Sequence, residues 1–222
     1  MLFIFKLDRK LRLARSIIVA SFGKSAMSHQ ILVALVAFAF VTSVTPGPNN
    51  LMLMASGANF GIRRSIPHLL GVALGFGAMV ALLGLGVDRL IAGAPRLAEA
   101  LKWISMAYVL WLAWKIAYAA APGTEGAAAR PMSFLAACAF QWVNPKAWMM
   151  ALGALSAYSA GVGGTLVVAL VFTLVNLPSV ALWAAMGQGL RGALQDPARL
   201  MLFNRAMAVL LVGSMLPVVT GH

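Results

Sequence analysis

Residues 30–58 would form one uninterrupted membrane helix but for six of them, Thr45-Pro46-Gly47-Pro48-Asn49-Asn50. Residues 31–44 are almost wholly Leu, Val, Ala, Phe and Ile, and residues 51–58 are apolar again. Pro46 and Pro48 have no N–H for the helix ladder, and each ring clashes with the turn before it. Each also drives the preceding residue out of the α region. Gly47 admits dihedrals that other residues avoid. The helix therefore opens there, and several carbonyls and N–H groups lose their partners. At membrane depth such a break survives only where it is buried in protein or lines a wet cavity. Asn49 and Asn50 place side-chain donors and acceptors beside it. The second half-helix would aim its free N–H groups into that cavity, which suits a carboxylate. Secondary transporters build substrate sites near the midplane from discontinuous helices of this kind. One proline would be explained as a packing kink, since proline is common in membrane helices. Two prolines, a glycine and two asparagines in six residues favour a binding role.

The rest of the composition fits a bilayer. The chain is 62% hydrophobic and 10% charged, with mean hydropathy +0.90, so a soluble fold of 222 residues would lack the polar groups to cover itself. Long apolar runs point to helices, because barrel strands would alternate apolar and polar residues. The formal charge of +12 does not imply nucleic acid, because the basic residues are scattered at segment ends, where cytoplasmic loops collect them. Five residues are acidic (Asp8, Asp88, Glu99, Glu125, Asp196), and none falls in the middle of an expected span. The single cysteine, Cys138, excludes an intramolecular disulfide and a C-x-x-C pair. H-E-x-x-H, a Ser/His/Asp set and a catalytic Cys pair are absent, so the chain reads as a non-enzyme with no cofactor. Hard or borderline cations need several carboxylate, His or Cys ligands, so no metal site is expected.

Taken in order, residues 1–27 carry six basic residues against Asp8. They read as a basic arm on the membrane surface or as an over-long start. The latter is favoured, because Met27-Ser28-His29-Gln30 leads directly into the first span. The expected architecture is an all-α integral membrane protein of six transmembrane helices. Residues 28–120 form a first three-helix half, 121–131 a central loop, and 132–222 a second half. The spans fall at about 30–58, 66–87, 97–120, 132–158, 165–187 and 200–219. Residues 59–65 read as a short loop. Pro67 fits the first turn of the second span, and His68 reads as a polar residue near that helix end, with proton carriage kept as an alternative. Gly71-x-x-x-Gly75 allows close helix contact inside the chain and would equally serve a homodimer. Trp103, Tyr108, Trp111, Trp114 and Tyr118 read as interfacial anchors in the lipid, flanked by Lys102 and Lys115.

The fourth span is interrupted at Gln141-Trp142-Val143-Asn144-Pro145-Lys146. Asn144-Pro145 favours a turn. Lys146 lies midway along the apolar run, where a lysine costs at least about 2.5 kcal/mol to insert. It must face a cavity or a partner, and no carboxylate is at matching depth. Its acceptors would be freed carbonyls at the breaks, Asn144, Asn49 or a substrate carboxylate; the alternative is that burial holds it neutral, since desolvation disfavours the charged form. Asn176-Leu177-Pro178-Ser179 marks a weaker break in the fifth span, where a packing kink and a binding role weigh equally. Pairing Pro48 with Pro145 also pairs Met52 with Met149. Corresponding broken helices, 1 and 4, in two halves of three spans are the pattern of an inverted repeat. The loop distribution of basic residues favours both ends of the six-span unit outside.

These residues together resemble the LysE/RhtB family of amino-acid exporters. Thr45-Pro46-Gly47-Pro48-Asn49-Asn50 with the Gly61-Ile62-Arg63-Arg64 loop is similar to the family's first-span motif. Ala107-Tyr108-Val109-Leu110-Trp111 and Asn144-Pro145-Lys146-Ala147-Trp148 carry the likeness into the third and fourth spans. The resemblance implies multi-pass residence in the bacterial inner membrane and export of amino acids or their derivatives. It also implies that the proton gradient or the membrane potential drives export, by antiport. The family's motif positions carry over to Pro46, Gly47, Pro48, Asn49, Asn144, Pro145 and Lys146. With no buried anion to meet a cationic side chain, small neutral cargo of the threonine or homoserine type is expected. The full set of expected binding residues is Thr45, Pro46, Gly47, Pro48, Asn49, Asn50, Gln141, Asn144, Pro145, Lys146 and Asn176. Export of a metal cation or another small metabolite is the alternative.

Overall fold

The structure is a computed structural model and describes residues 28–87, 95–119, 130–159 and 161–215. The 1–27 arm, the end of the sixth span and most of the central loop lie outside the described residues. Every element described is helical. Helix α1 (His29–Val44) begins at Ser28, whose hydroxyl accepts from the Ile31 N–H at 3.3 Å. After the break at Thr45, Pro46 and Gly47, α2 (Pro48–Phe60) leaves at 55° to α1. Gly61 alone joins α2 to α3 (Ile62–Leu82). Its φ of 79° lies in the left-handed region that a residue with a Cβ avoids. The loop expected over residues 59–65 therefore shrinks to one glycine, and Pro67 lies inside α3 instead of in its first turn. The missing cap comes from elsewhere, because Gln188 Oε1 accepts from the Ile62 N–H at 2.7 Å. A π-helical turn, Leu83–Val87, continues α3.

The remaining elements are α4 (Pro95–Ala117), α5 (Phe134–Gln141), α6 (Pro145–Tyr158), α7 (Gly161–Leu190) and α8 (Pro197–Gly213). Helix α7 runs through Asn176-Leu177-Pro178-Ser179 without a break. Ile62–Gly86 and Gly163–Leu190 are each long and apolar enough to cross a bilayer, and the bent α1–α2 pair makes a third such segment. Their outer faces carry exposed Val33, Val36 and Phe40 on α1 and Leu166, Leu170 and Leu174 on α7. In water these faces would be costly. Against lipid tails they are matched. Trp103, Trp111 and Trp114 on α4 and Tyr118 just past its end are exposed, as interfacial anchors are, whereas Tyr108 packs inward on Phe140; the Lys115 ammonium stands 4.6 Å from the Trp111 ring centroid.

Helix α7 is the post on which α1, α2 and α3 pack. Lipid gives helices no hydrophobic reason to associate, so small residues that let backbones approach carry the packing. A Cβ at Gly57 would meet the Ala184 carbonyl, and one at Gly187 would meet the Met54 carbonyl. Gly71 and Gly75 are covered within the chain, because a Cβ at Gly75 would lie 2.6 Å from Cys138 Cα and one at Gly71 would meet Phe134 of α5. The pair thus serves an internal contact. One apolar cluster gathers Leu35, Phe76, Met79, Ala151 and Phe172, with the Phe76 and Phe172 rings edge-on at 5.3 Å. A second gathers Leu51, Val109, Leu112, Phe140 and Leu211.

Asn59 and Asn204 tie α2 to α8 by a reciprocal pair of amide bonds, 2.8 and 3.2 Å, with both side chains buried. Asn204→Leu strands the Asn59 carboxamide oxygen. A loss of about 1–2 kcal/mol is expected, read as a lower thermal midpoint in detergent. Adding Asn59→Leu should restore part of it, because removing both partners leaves no orphan.

Candidate functional site

The two breaks meet at one cleft. Pro48 heads α2 behind Gly47, and Pro145 heads α6 behind Asn144. Proline suits that first position, where its missing N–H would have had no partner. The cleft spans about 310 Å³ when the open solvent at its mouth is counted. Gly47, Asn49 and Asn50 line it from the first break and Gln141, Asn144 and Lys146 from the second. Asn176 of α7 closes a third side, and Thr42, Ser43, Phe76, Ala147 and Met150 complete it.

The carbonyls freed at the end of α1 are all accounted for. Asn50 Nδ2 donates to the Ser43 and Thr45 carbonyls at 2.8 and 2.7 Å. Trp183 Nε1 of α7 donates to the Val44 carbonyl at 3.0 Å. Lys146 Nζ donates to the Thr45 carbonyl at 2.6 Å, to Thr45 Oγ1 at 3.0 Å and to the Pro46 carbonyl at 3.2 Å. The lysine thus caps the first half-helix of the break from a position 100 residues further along the chain. Of the acceptors open to it from sequence, the carbonyls of the first break are those it uses. Gly47 leaves room for its stem, because a Cβ there would sit 2.6 Å from Lys146 Cδ.

A second tie crosses the cleft. Asn49 Nδ2 donates to Gln141 Oε1 at 2.9 Å, and Gln141 Nε2 donates to Asn49 Oδ1 at 3.3 Å and to the Ala137 carbonyl at 2.9 Å. The two N-termini differ in their capping. Asn144 Oδ1 accepts from the Lys146 backbone N–H at 3.1 Å, whereas Gly47 has no side chain to cap α2. The first-turn N–H groups of α2 therefore keep their partial positive charge beside the lysine ammonium.

The expected residues are brought together, in three roles. Gly47, Asn49, Asn50, Gln141, Asn144, Lys146 and Asn176 line the cleft. Thr45 and Pro46 lend carbonyls to Lys146 at its rim, and Pro48 and Pro145 start the half-helices. Thr42, Ser43, Phe76, Ala147 and Met150 join them in the lining, unannounced by any motif in the sequence. Thr42 and Ser43 did carry a signal, as hydroxyls closing an apolar run. The other three look like any core residue. Ser43 is buried, and its hydroxyl has no hydrogen-bond partner among the described residues. Asn176 is also buried, and its side chain makes no hydrogen bond to another described residue.

Apolar helices around a polar cleft, with two proline-headed half-helices converging on it, define an all-helical membrane protein. The model of the LysE type translocator family matches residues 40–219, and the chain belongs to that family. It is similar to the cysteine/O-acetylserine efflux protein of Escherichia coli K12, at 34% identity over 84% of this chain and 96% of that protein. The cysteine/O-acetylserine efflux protein of Salmonella typhimurium LT2 is 32% identical over the same shares. No solved structure matches the chain.

Proposed function

We propose that this protein is a secondary transporter that exports small neutral amino acids or their derivatives across the bacterial inner membrane, driven by the proton gradient. The observation that carries the reading is the pairing of an uncapped helix N-terminus with the Lys146 ammonium in a cleft that no carboxylate lines among the described residues. The substrate carboxylate lies between the α2 N–H groups and Lys146 Nζ. It competes there with the Thr45 and Pro46 carbonyls for the ammonium. The Asn176 carboxamide, otherwise unused, accepts from the substrate ammonium. Phe76, Ala147 and Met150 leave an apolar pocket for a short side chain, with the Ser43 hydroxyl as its polar contact. A lysine or arginine side chain would find no counter-ion here.

Cysteine and O-acetylserine, the cargoes in the names of the relatives, fit these limits, as do threonine and homoserine. The six spans are taken as two inverted halves, which rock about the cleft to expose it to either side. That both half-helices begin with proline and converge on the cleft supports this arrangement.

The test is efflux from proteoliposomes preloaded with single amino acids, with and without an imposed proton gradient. Gradient-stimulated release of the neutral class, and not of lysine or arginine, is the expected result. Equal release of every class, or none, sinks the reading. Ser43→Ala should slow O-acetylserine, threonine and homoserine about tenfold, the worth of one hydrogen bond, with a smaller loss for alanine.

A further inference from the structure

Six residues into α3 stands a titratable group that the substrate site does not use. His68 is 2% exposed, and neither ring nitrogen has a hydrogen-bond partner among the described residues. Buried polar groups in proteins are nearly always paired, so an imidazole with both nitrogens idle calls for a reason. It shares a face of α3 with Ser65, Val72 and Phe76, and Phe76 lines the cleft about 12 Å further along the helix.

On the other side of His68, towards Gly61, buried polar groups continue. Ser65 Oγ lies 2.7 Å from Ser56 Oγ, and Asn59 pairs with Asn204. Next to Ser56, the backbone contacts at Gly57 and Gly187 press α2 against α7.

We propose that His68 carries the coupling proton, taking it up only when the α2–α7 seam beneath the cleft opens. The inference rests on the exporter reading above. Coupling needs a group whose protonation depends on conformation, because a ligand shifts an equilibrium only by its difference in affinity for the two states. In the closed arrangement a charged imidazole here has no support among the described residues. Helix α2 presents no titratable side chain. Helix α5 presents Cys138, whose thiol is given to the Gly71 carbonyl at 3.4 Å. Helix α6 presents Lys146 and Tyr158. Helix α7 presents none along its length, with Arg191 just past its end, and α3 itself presents Arg63 and Arg64 at its start. None of these is a carboxylate. Opening the seam brings the polar track, and water, to the ring. Histidine is the side chain whose ordinary titration falls between about pH 5 and 8, the range over which a gradient acts. Lys146 is a poorer carrier, since its three acceptors hold the ammonium in place.

The experiment uses the full chain in proteoliposomes loaded with whichever amino acid the unmodified protein releases, and compares it with His68→Gln and His68→Asn. Release against a cargo gradient and proton entry, read by a lumenal pH dye, report coupling. Exchange of labelled for unlabelled cargo without a pH gradient reports binding and rocking alone. Both variants are expected to lose gradient stimulation and the pH dependence of release by about tenfold or more, with exchange within about twofold. Retained coupling overturns the proposal, and so does equal loss of coupling and exchange. A measurement free of substitutions is the ring ¹⁵N signal of His68, which should titrate in a cargo-dependent way. A signal that never titrates also overturns it. If the unmodified protein releases no amino acid under any gradient, the exporter reading itself has failed, and the coupling role falls with it.

Discussion

Lys146→Met is expected to lower amino-acid efflux about 100-fold or more, while the amount of folded protein recovered from the membrane changes little. The lysine does two things at once. Its ammonium satisfies the Thr45 carbonyl and hydroxyl and the Pro46 carbonyl, and it faces the cleft where a carboxylate would lie. A hydrogen bond from a charged donor is worth about 1.5–3 kcal/mol, and each 1.4 kcal/mol is about tenfold in rate or affinity. Loss of the substrate contact alone thus gives about 10- to 100-fold, and loss of the tie between the two breaks adds to it. The fold suffers less, because the cleft is open and water can replace the lysine at those carbonyls. Lys146→Arg should recover part of the rate, since it keeps the charge but brings a planar fork to a space shaped for a point charge beside Gly47. Initial efflux rates normalised to monodisperse protein settle the matter. An undiminished rate in Lys146→Met removes the lysine from the site.

The largest effect on stability is expected at Gly187. Gly187→Leu should cost about 3 kcal/mol or more, as overpacking between two backbones cannot be relieved by turning a side chain. A Cβ there would run into the Met54 carbonyl, and Gly57→Leu would do the same at the Ala184 carbonyl. Both substitutions pry α2 from α7, so yield from the membrane and the thermal midpoint in detergent should fall together. Two positions along the same helix, Gly189 has nothing within 4 Å of its Cβ direction. Gly189→Ala should therefore be neutral or stabilising by up to about 1 kcal/mol, by the helix propensity gained. Similar behaviour of the two glycines would show that the α2–α7 contact is not a tight one.

The kinks were legible because their cause is covalent. Proline cannot donate to the ladder wherever it stands in a half-helix, so Pro46, Pro48 and Pro145 announce breaks without help from the fold. Pro178 shows the limit of that rule. It sits in α7, which stays continuous, and nothing local in Asn176-Leu177-Pro178-Ser179 distinguishes it from a true break. The loop expected over residues 59–65 failed for a different reason. Arg63 and Arg64 look like loop residues, but Gly61 turns the chain alone and Gln188, more than a hundred residues away, caps the helix that follows. In sequence His68 reads as a polar residue near a helix end, and only packing shows it buried.

What the sequence determined by itself is the membrane class, the two principal breaks and the oddity of a lysine amid apolar residues. All of these follow from composition and from the chemistry of single residues. What the tertiary structure decided is which groups meet. It is the fold that gives Lys146 to the Thr45 and Pro46 carbonyls, Asn49 to Gln141 and Trp183 to Val44. It also leaves Ser43 and His68 without partners. These pairings join residues about 90 to 140 positions apart, and no periodicity or propensity encodes them. They arise because a broken helix in lipid must find its missing hydrogen bonds inside the protein, and only the packed helices determine which donors are within reach.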